Sequence, residues 1–149
     1  MKKSFIIFAL CCVAGLSIGY KVLADDKEKE LARVPLENYI KAQATGNGDL
    51  IRAAFHKDGR INAFRDGKLL NLSVEEFASR FTGKAADDEA KRKRSIETLE
   101  ISGNAAIARI SLDYPAVKFT DYMSLLKIDG EWKIINKTFY AEPKPAAAK

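Results

Sequence analysis

The sequence predicts an α+β domain: three helices packed on one face of a curved, mostly antiparallel sheet, in the order α-α-β-β-α-β-β-β-β. Three observations lead there. Apolar residues recur at helical spacing, with glycine stops, as far as Gly83. From Arg94 the pattern turns to strands, in the runs SIETLEIS, AAIARISLDY, VKFTDYMSLLKI and EWKIINKTFY. Between the last two runs stands Asp129-Gly130, the strongest short hairpin signal in the chain.

The elements follow in order. Residues 25–33 read as a charged, frayed lead-in, and the domain proper as residues 34–140. Leu31, Val34, Leu36, Tyr39, Ile40 and Gln43 mark the first helix, which ends at Thr45-Gly46 and takes Pro35 into its first turn. A short second helix runs from Gly48-Asp49 to Phe55-His56. RINAFRDGKLLNLS gives two short strands around Asp66-Gly67. Ser73-Val74-Glu75-Glu76 is a capping-box signature, with Val74, Phe77 and Phe81 as the buried stripe of the third helix. After the four long strands, residues 141–149 carry no core-building pattern and are expected to be a disordered tail.

The first 24 residues read as a secretory signal peptide. Lys2 and Lys3 precede an apolar run from Phe5 to Tyr20, and Val22-Leu23-Ala24 supplies a cleavage site. Those 16 residues fall short of the roughly 20 that span a bilayer, so no stable membrane anchor is expected after cleavage. No small residue stands ahead of Cys11 or Cys12, which argues against a lipoprotein. The expected location is periplasmic or secreted.

Cleavage removes both cysteines, and with them disulfide, thiol and cysteine–metal chemistry. It also removes Lys2, Lys3 and Lys21 and no acid, hence three of the five net positive charges. Nucleic-acid binding loses its compositional support. The KRKR run at 91–94 follows Asp87-Asp88-Glu89 and reads as a solvated lead into a strand.

With Asp129-Gly130 as a two-residue loop, the last hairpin pairs Lys127 with Trp132, Leu125 with Ile134, Met123 with Asn136, Asp121 with Thr138 and Phe119 with Tyr140. These residues share one face, expected to point at the helices. The other face carries Tyr122, Leu126, Ile128, Ile135, Lys137 and Phe139 and suits an outer surface or a subunit interface. Asp121 is then a carboxylate on an apolar face, so it is either paired or borders a wet cavity. A single β-bulge would move the residues beyond it to the opposite face.

These residues resemble the nuclear transport factor 2-like superfamily, and within it the putative lumazine-binding and SnoaL-like, polyketide-cyclase-like families of bacteria. The resemblance rests on Tyr39-Ile40, Gly48-Asp49, Phe55-His56-Lys57-Asp58, Asp66-Gly67, Ser73-Val74-Glu75-Glu76-Phe77 and Asp121-Tyr122…Asp129-Gly130-Glu131-Trp132-Lys133-Ile134. It departs from the family at Lys57, where proline is common, and at Gly59, where alanine is usual. It implies a cone-shaped fold with a cavity between helices and sheet, and frequent homodimers through the outer sheet face.

The superfamily includes isomerases, dehydratases and cyclases. Its ketosteroid isomerase branch uses a helix-one tyrosine, a second acid and a carboxylate base. Tyr39 matches the tyrosine, but the base position falls near Ala63 and the second acid near Ser124, so that chemistry is not expected. His56, the single histidine, and Asp121 are the acid/base candidates. One histidine and no mature cysteine argue against a metal, and no phosphate loop or nucleophile elbow is present, so no cofactor is expected.

The leading expectation is an exported, non-catalytic domain binding a small, partly apolar molecule. Its pocket would be lined by Tyr39, Phe55, Phe119, Asp121, Met123, Trp132 and Asn136, although Trp132, beside the hairpin turn, also reads as core. The alternatives are an enzyme using His56 or Asp121, and a dimerisation module with a filled cone.

Overall fold

The computed structural model describes residues 4–145, with side-chain surroundings from residue 25 onward. The side chains of the expected leader, residues 1–24, and residues 146–149 of the expected tail lie outside the described residues. The chain divides into two compact units, Met1–Leu31 and Ala32–Lys149. The fold below is that of the second.

Helix α1 (Ser4–Thr45) enters this unit at Ala32. Residues 25–33 are helical rather than a frayed lead-in, and Pro35 lies inside the helix rather than in its first turn. Inside a helix proline removes one backbone hydrogen bond and crowds the carbonyl one turn back, a cost α1 bears while continuing on both sides of Pro35. The buried stripe is Ala32, Leu36, Tyr39 and Ala42, whereas Leu31 and Val34, expected inward, are exposed. That spacing is one helical face; its two alanines add little hydrophobicity, which hid its phase in the sequence. Gly46 closes the helix at φ +68°, donating to the Ala42 carbonyl at 2.8 Å and accepting from the Gly83 N–H at 2.7 Å.

Asn47 caps α2 (Gly48–Ala54) by accepting from the Asp49 N–H at 2.8 Å. The helix stops at Ala54, so Phe55 and His56 belong to the strand that follows. The capping box forms as expected on α3 (Val74–Ala78), where Ser73 accepts from the Glu76 N–H and Glu76 accepts from the Ser73 N–H. Arg52 of α2 donates to both carboxylate oxygens of Glu75 and clamps the two short helices together.

Six strands form one sheet: β1 (Phe55–Arg65), β2 (Lys68–Ser73), β3 (Lys93–Ser102), β4 (Ala105–Asp113), β5 (Val117–Ile128) and β6 (Glu131–Pro143). Their order is β2-β1-β6-β5-β4-β3. Only β1 and β6 run parallel, so the sheet is mixed and curved, with the three helices on one face. Ile61, Ala106, Ile110, Met123, Leu125 and Ile134 cover its inner face and meet the α1 stripe in the core.

Two further expectations are corrected. The KRKR run is solvated only at Lys91 and Lys93; its two arginines are engaged. Arg92 reaches Asp88 at 2.7 Å and lies over the Tyr114 ring, and Arg94 grips Glu89, the Tyr114 hydroxyl and the Gln43 carbonyl. The tail also begins later than Ala141. β6 continues to Pro143, with Ala141 opposite Phe119, and Lys144 donates to the Ala116 carbonyl and pairs with Asp113. Strand pairing supplies the order that the side-chain pattern of this segment lacks.

Candidate functional site

The site is decided by a single residue. β5 and β6 pair as expected from Ile128/Glu131 to Leu125/Ile134, and then the register shifts, so that Ser124 faces Asn136. Ile135 is the extra residue, a β-bulge on β6. β5 keeps its phase, with Asp121, Met123 and Leu125 buried. β6 changes phase: Lys137 and Phe139 turn inward, while Asn136, Thr138 and Tyr140 turn outward. The inward placement expected for Asn136 and the outward one expected for Lys137 and Phe139 are both reversed.

The slip brings three polar side chains together inside the core. Lys137 Nζ donates to Asp121 Oδ1 at 2.7 Å, and the Tyr39 hydroxyl donates to Asp121 Oδ2 at 2.6 Å. Tyr39 and Asp121 are 0% exposed and Lys137 is 3% exposed. Each element contributes one member: α1 through the phase of its stripe, β5 through its alternation and β6 through the bulge. Both carboxylate oxygens are occupied, so Asp121 is paired rather than solvated.

Aromatic rings enclose the ammonium. Nζ lies 4.1 Å from the centroid of Phe139, 5.4 Å from that of Tyr39 and 5.8 Å from that of Phe77. Burial pulls the Lys137 amine below the ordinary lysine value, while the Asp121 carboxylate pushes it back up. The Tyr39 phenol is held well above the ordinary tyrosine value, by burial first and then by the adjacent Asp121 charge. The three together can hold a proton between a carboxylate, an amine and a phenol, away from bulk water.

The expected pocket residues separate into two groups. Tyr39, Phe55, Asp121, Met123 and Trp132 are buried together in the core, and Phe119 packs against it half-buried. Phe55 meets Tyr39 edge-on, and Phe119 meets Phe139. Asn136 is on the other side of the sheet, accepting from Asn62 at 2.8 Å and donating to Thr138. His56 sits near the start of β1, where Nδ1 accepts from the Asp58 N–H at 3.4 Å. It makes no hydrogen bond to Asp121, so the acid/base pair weighed from sequence does not form. Lys137 was missed. The cue was the Ile134-Ile135 doublet, which breaks alternation and puts Phe139 in the opposite phase.

A groove of about 420 Å³ lies elsewhere, against Ile101, Ala106, Ile107, Leu125, Leu126 and Ile135. None of the expected pocket residues lines it. Among the described residues, no three histidine, cysteine or carboxylate side chains converge as metal ligands.

Comparison with known proteins places this geometry in context. A family model described as "Putative lumazine-binding" matches residues 27–140. A solved NTF2-like protein of unknown function from Methylobacillus flagellatus KT is 31% identical, covering 79% of this chain and 93% of that one at a TM-score of 0.61. Another from Shewanella baltica OS155 is 24% identical, with 79% and 96% covered and a TM-score of 0.71. A curated relative, "Aldolase FrzH" of Cladobotryum sp, is 26% identical over 108 residues, which span 71% of this chain and 85% of that protein.

Proposed function

The chain belongs to the "Putative lumazine-binding" family and carries the nuclear transport factor 2-like fold, and from that premise we propose that it is an exported domain binding a small, partly apolar molecule over Tyr39, Asp121 and Lys137. The observation that carries this reading is the buried trio itself. An ion pair inside a core stabilises no better than well-packed apolar side chains of the same volume. A lysine, a carboxylate and a phenol amid aromatic rings are the few convergent polar groups that a small-molecule site requires.

Native mass spectrometry on protein exported through its own leader tests this. The expected result is a chain beginning after Ala24 that retains a small molecule, with retention lost in Asp121→Asn. A chain that starts there but carries no molecule, and gains none from the host's small-molecule extract, would refute the binding reading. Retention of residues 1–24 would refute cleavage after Ala24.

A second reading is favoured by the relative named as an aldolase. Here the same trio acts on a bound carbonyl compound, with Asp121 rather than His56 as the acid/base, since His56 bonds locally to Asp58.

The outer sheet face supports a further part of the proposal, pairing with a second copy of this chain. Phe64 and Leu69 are each 72% exposed there, with Ile107, Tyr122 and Tyr140 more than half exposed on neighbouring strands. Such a surface is more apolar than a solvated face requires.

A further inference from the structure

We propose that Lys137 is a nucleophilic amine that captures an aldehyde or ketone as a covalent iminium, with Asp121 carrying the proton and Tyr39 positioning Asp121. The inference rests on the reading that the inner face of the sheet takes a small molecule. It adds the chemical class of that molecule and the atom that holds it.

The geometry supplies what imine formation needs. A lysine nucleophile must lose its proton at neutral pH; desolvation favours that loss, the Asp121 charge opposes it, and the same carboxylate is placed to take the proton. Lys137 is buried, and its acceptor, Asp121 Oδ1, is 2.7 Å away. Asp121 is held from the far side by the Tyr39 hydroxyl at 2.6 Å, so the carboxylate is aimed and not free to rotate. Burial also lowers the proton affinity of the amine, in the direction the chemistry requires. Of the rings around Nζ, Phe77 and Phe139 are themselves half-buried, so each is partly exposed to solvent. Those rings would stack on the apolar part of a carbonyl compound.

The steps balance. Asp121 takes a proton from the Lys137 ammonium. The free Nζ attacks the carbonyl carbon, and the C=O π pair moves to oxygen, which takes that proton from Asp121. Asp121 then removes a second proton from nitrogen and delivers it to the hydroxyl, which leaves as water while the nitrogen lone pair closes the C=N bond. Ammonium and carbonyl compound become iminium and water, with Asp121 again a carboxylate and nothing oxidised or reduced.

The test uses benzaldehyde as the probe and sodium cyanoborohydride to reduce any iminium to a stable benzylamine, read by peptide mapping of the folded full-length chain. The facing titratable groups are Asp121 and Tyr39. Because a lowered amine pKa raises the free-amine fraction, Lys137 is expected to label faster than exposed Lys57 at pH 7. Lys137→Arg, which keeps the charge but cannot deprotonate, should lose that label alone. Thermal shift with benzaldehyde and no hydride reports binding separately. Saturable stabilisation with Lys137 unlabelled overturns the iminium and leaves the binding reading intact. No stabilisation and no label at Lys137 overturns both. Should Lys137→Arg not fold, the site map on the unaltered chain decides.

Discussion

Tyr39 of α1 and Lys137 of β6 meet on the two oxygens of one carboxylate, Asp121 of β5, at 2.6 and 2.7 Å. Neither pairs with anything so distant in sequence by local pattern. Tyr39 and Asp121 are 82 positions apart. Their meeting joins helix layer to sheet and leaves the core one internal ion pair.

Removing one partner of that pair should be costly. Lys137→Met leaves a buried carboxylate with only the Tyr39 hydroxyl, and breaking a buried pair in this way typically costs about 3–5 kcal/mol. Lys137→Met combined with Asp121→Leu removes both charges and should recover most of the loss. Urea denaturation of the two variants against the parent chain measures the difference.

Alkaline stability should depend on Tyr39. Its folded-state pKa is raised, so above the ordinary tyrosine value of about 10 the unfolded chain releases a proton that the folded chain keeps. Stability therefore falls with rising pH there, approaching about 1.4 kcal/mol per pH unit for each such group. Lys137 acts oppositely: its lowered value makes stability rise with pH up to the ordinary lysine value. In Tyr39→Phe the decline above pH ~10 should be shallower, with the remainder from Tyr114, which burial also raises. Chemical denaturation at a series of alkaline pH values reads the slope.

The bulge can be tested by deleting Ile135. The deletion puts Asn136 directly after Ile134, so strict alternation keeps Asn136 and Thr138 outward and Lys137 and Phe139 inward without a bulge, in the register that Ser124 and Asn136 already hold. Asp121 would keep its pairing with Lys137. The expected outcome is a retained cooperative transition in near-ultraviolet circular dichroism. Loss of that transition would show that the fold needs the bulge itself and not only the phase beyond it.

Gly46→Ala should destabilise strongly. The residue has φ +68°, and a Cβ there would lie 2.1 Å from the Lys84 carbonyl oxygen. The left-handed conformation alone costs about 1–2 kcal/mol for alanine, and the overlap with backbone adds to it. A loss above about 2 kcal/mol in the same urea assay is expected.

Self-association should respond to the outer face. Phe64→Asp places a charge among Leu69 and Tyr140 and should raise the dimer dissociation constant at least about tenfold by sedimentation. An unchanged constant, or a parent chain that stays monomeric at high concentration, would remove that part of the proposal.

Composition and local pattern alone determined the α+β class, the element order, the Ser73–Glu76 capping box and the Asp129-Gly130 hairpin. Each depends on residues within a few positions of one another, where spacing and turn chemistry act directly. The burial of Asp121 was legible too, because β5 alternates without interruption from Phe119 to Leu125. Its partner was not. The identity of the inward residue on β6 depends on one unpaired isoleucine, whose position is set by the parallel pairing with β1, where Phe55 faces Ile134 and Arg60 faces Asn136. That fit between strands far apart in sequence turns Lys137 inward, and a single lysine carries no local mark of being buried. The tertiary structure therefore decided the chemistry of the site, because a side-chain period of two makes every face beyond a bulge depend on where the extra residue falls.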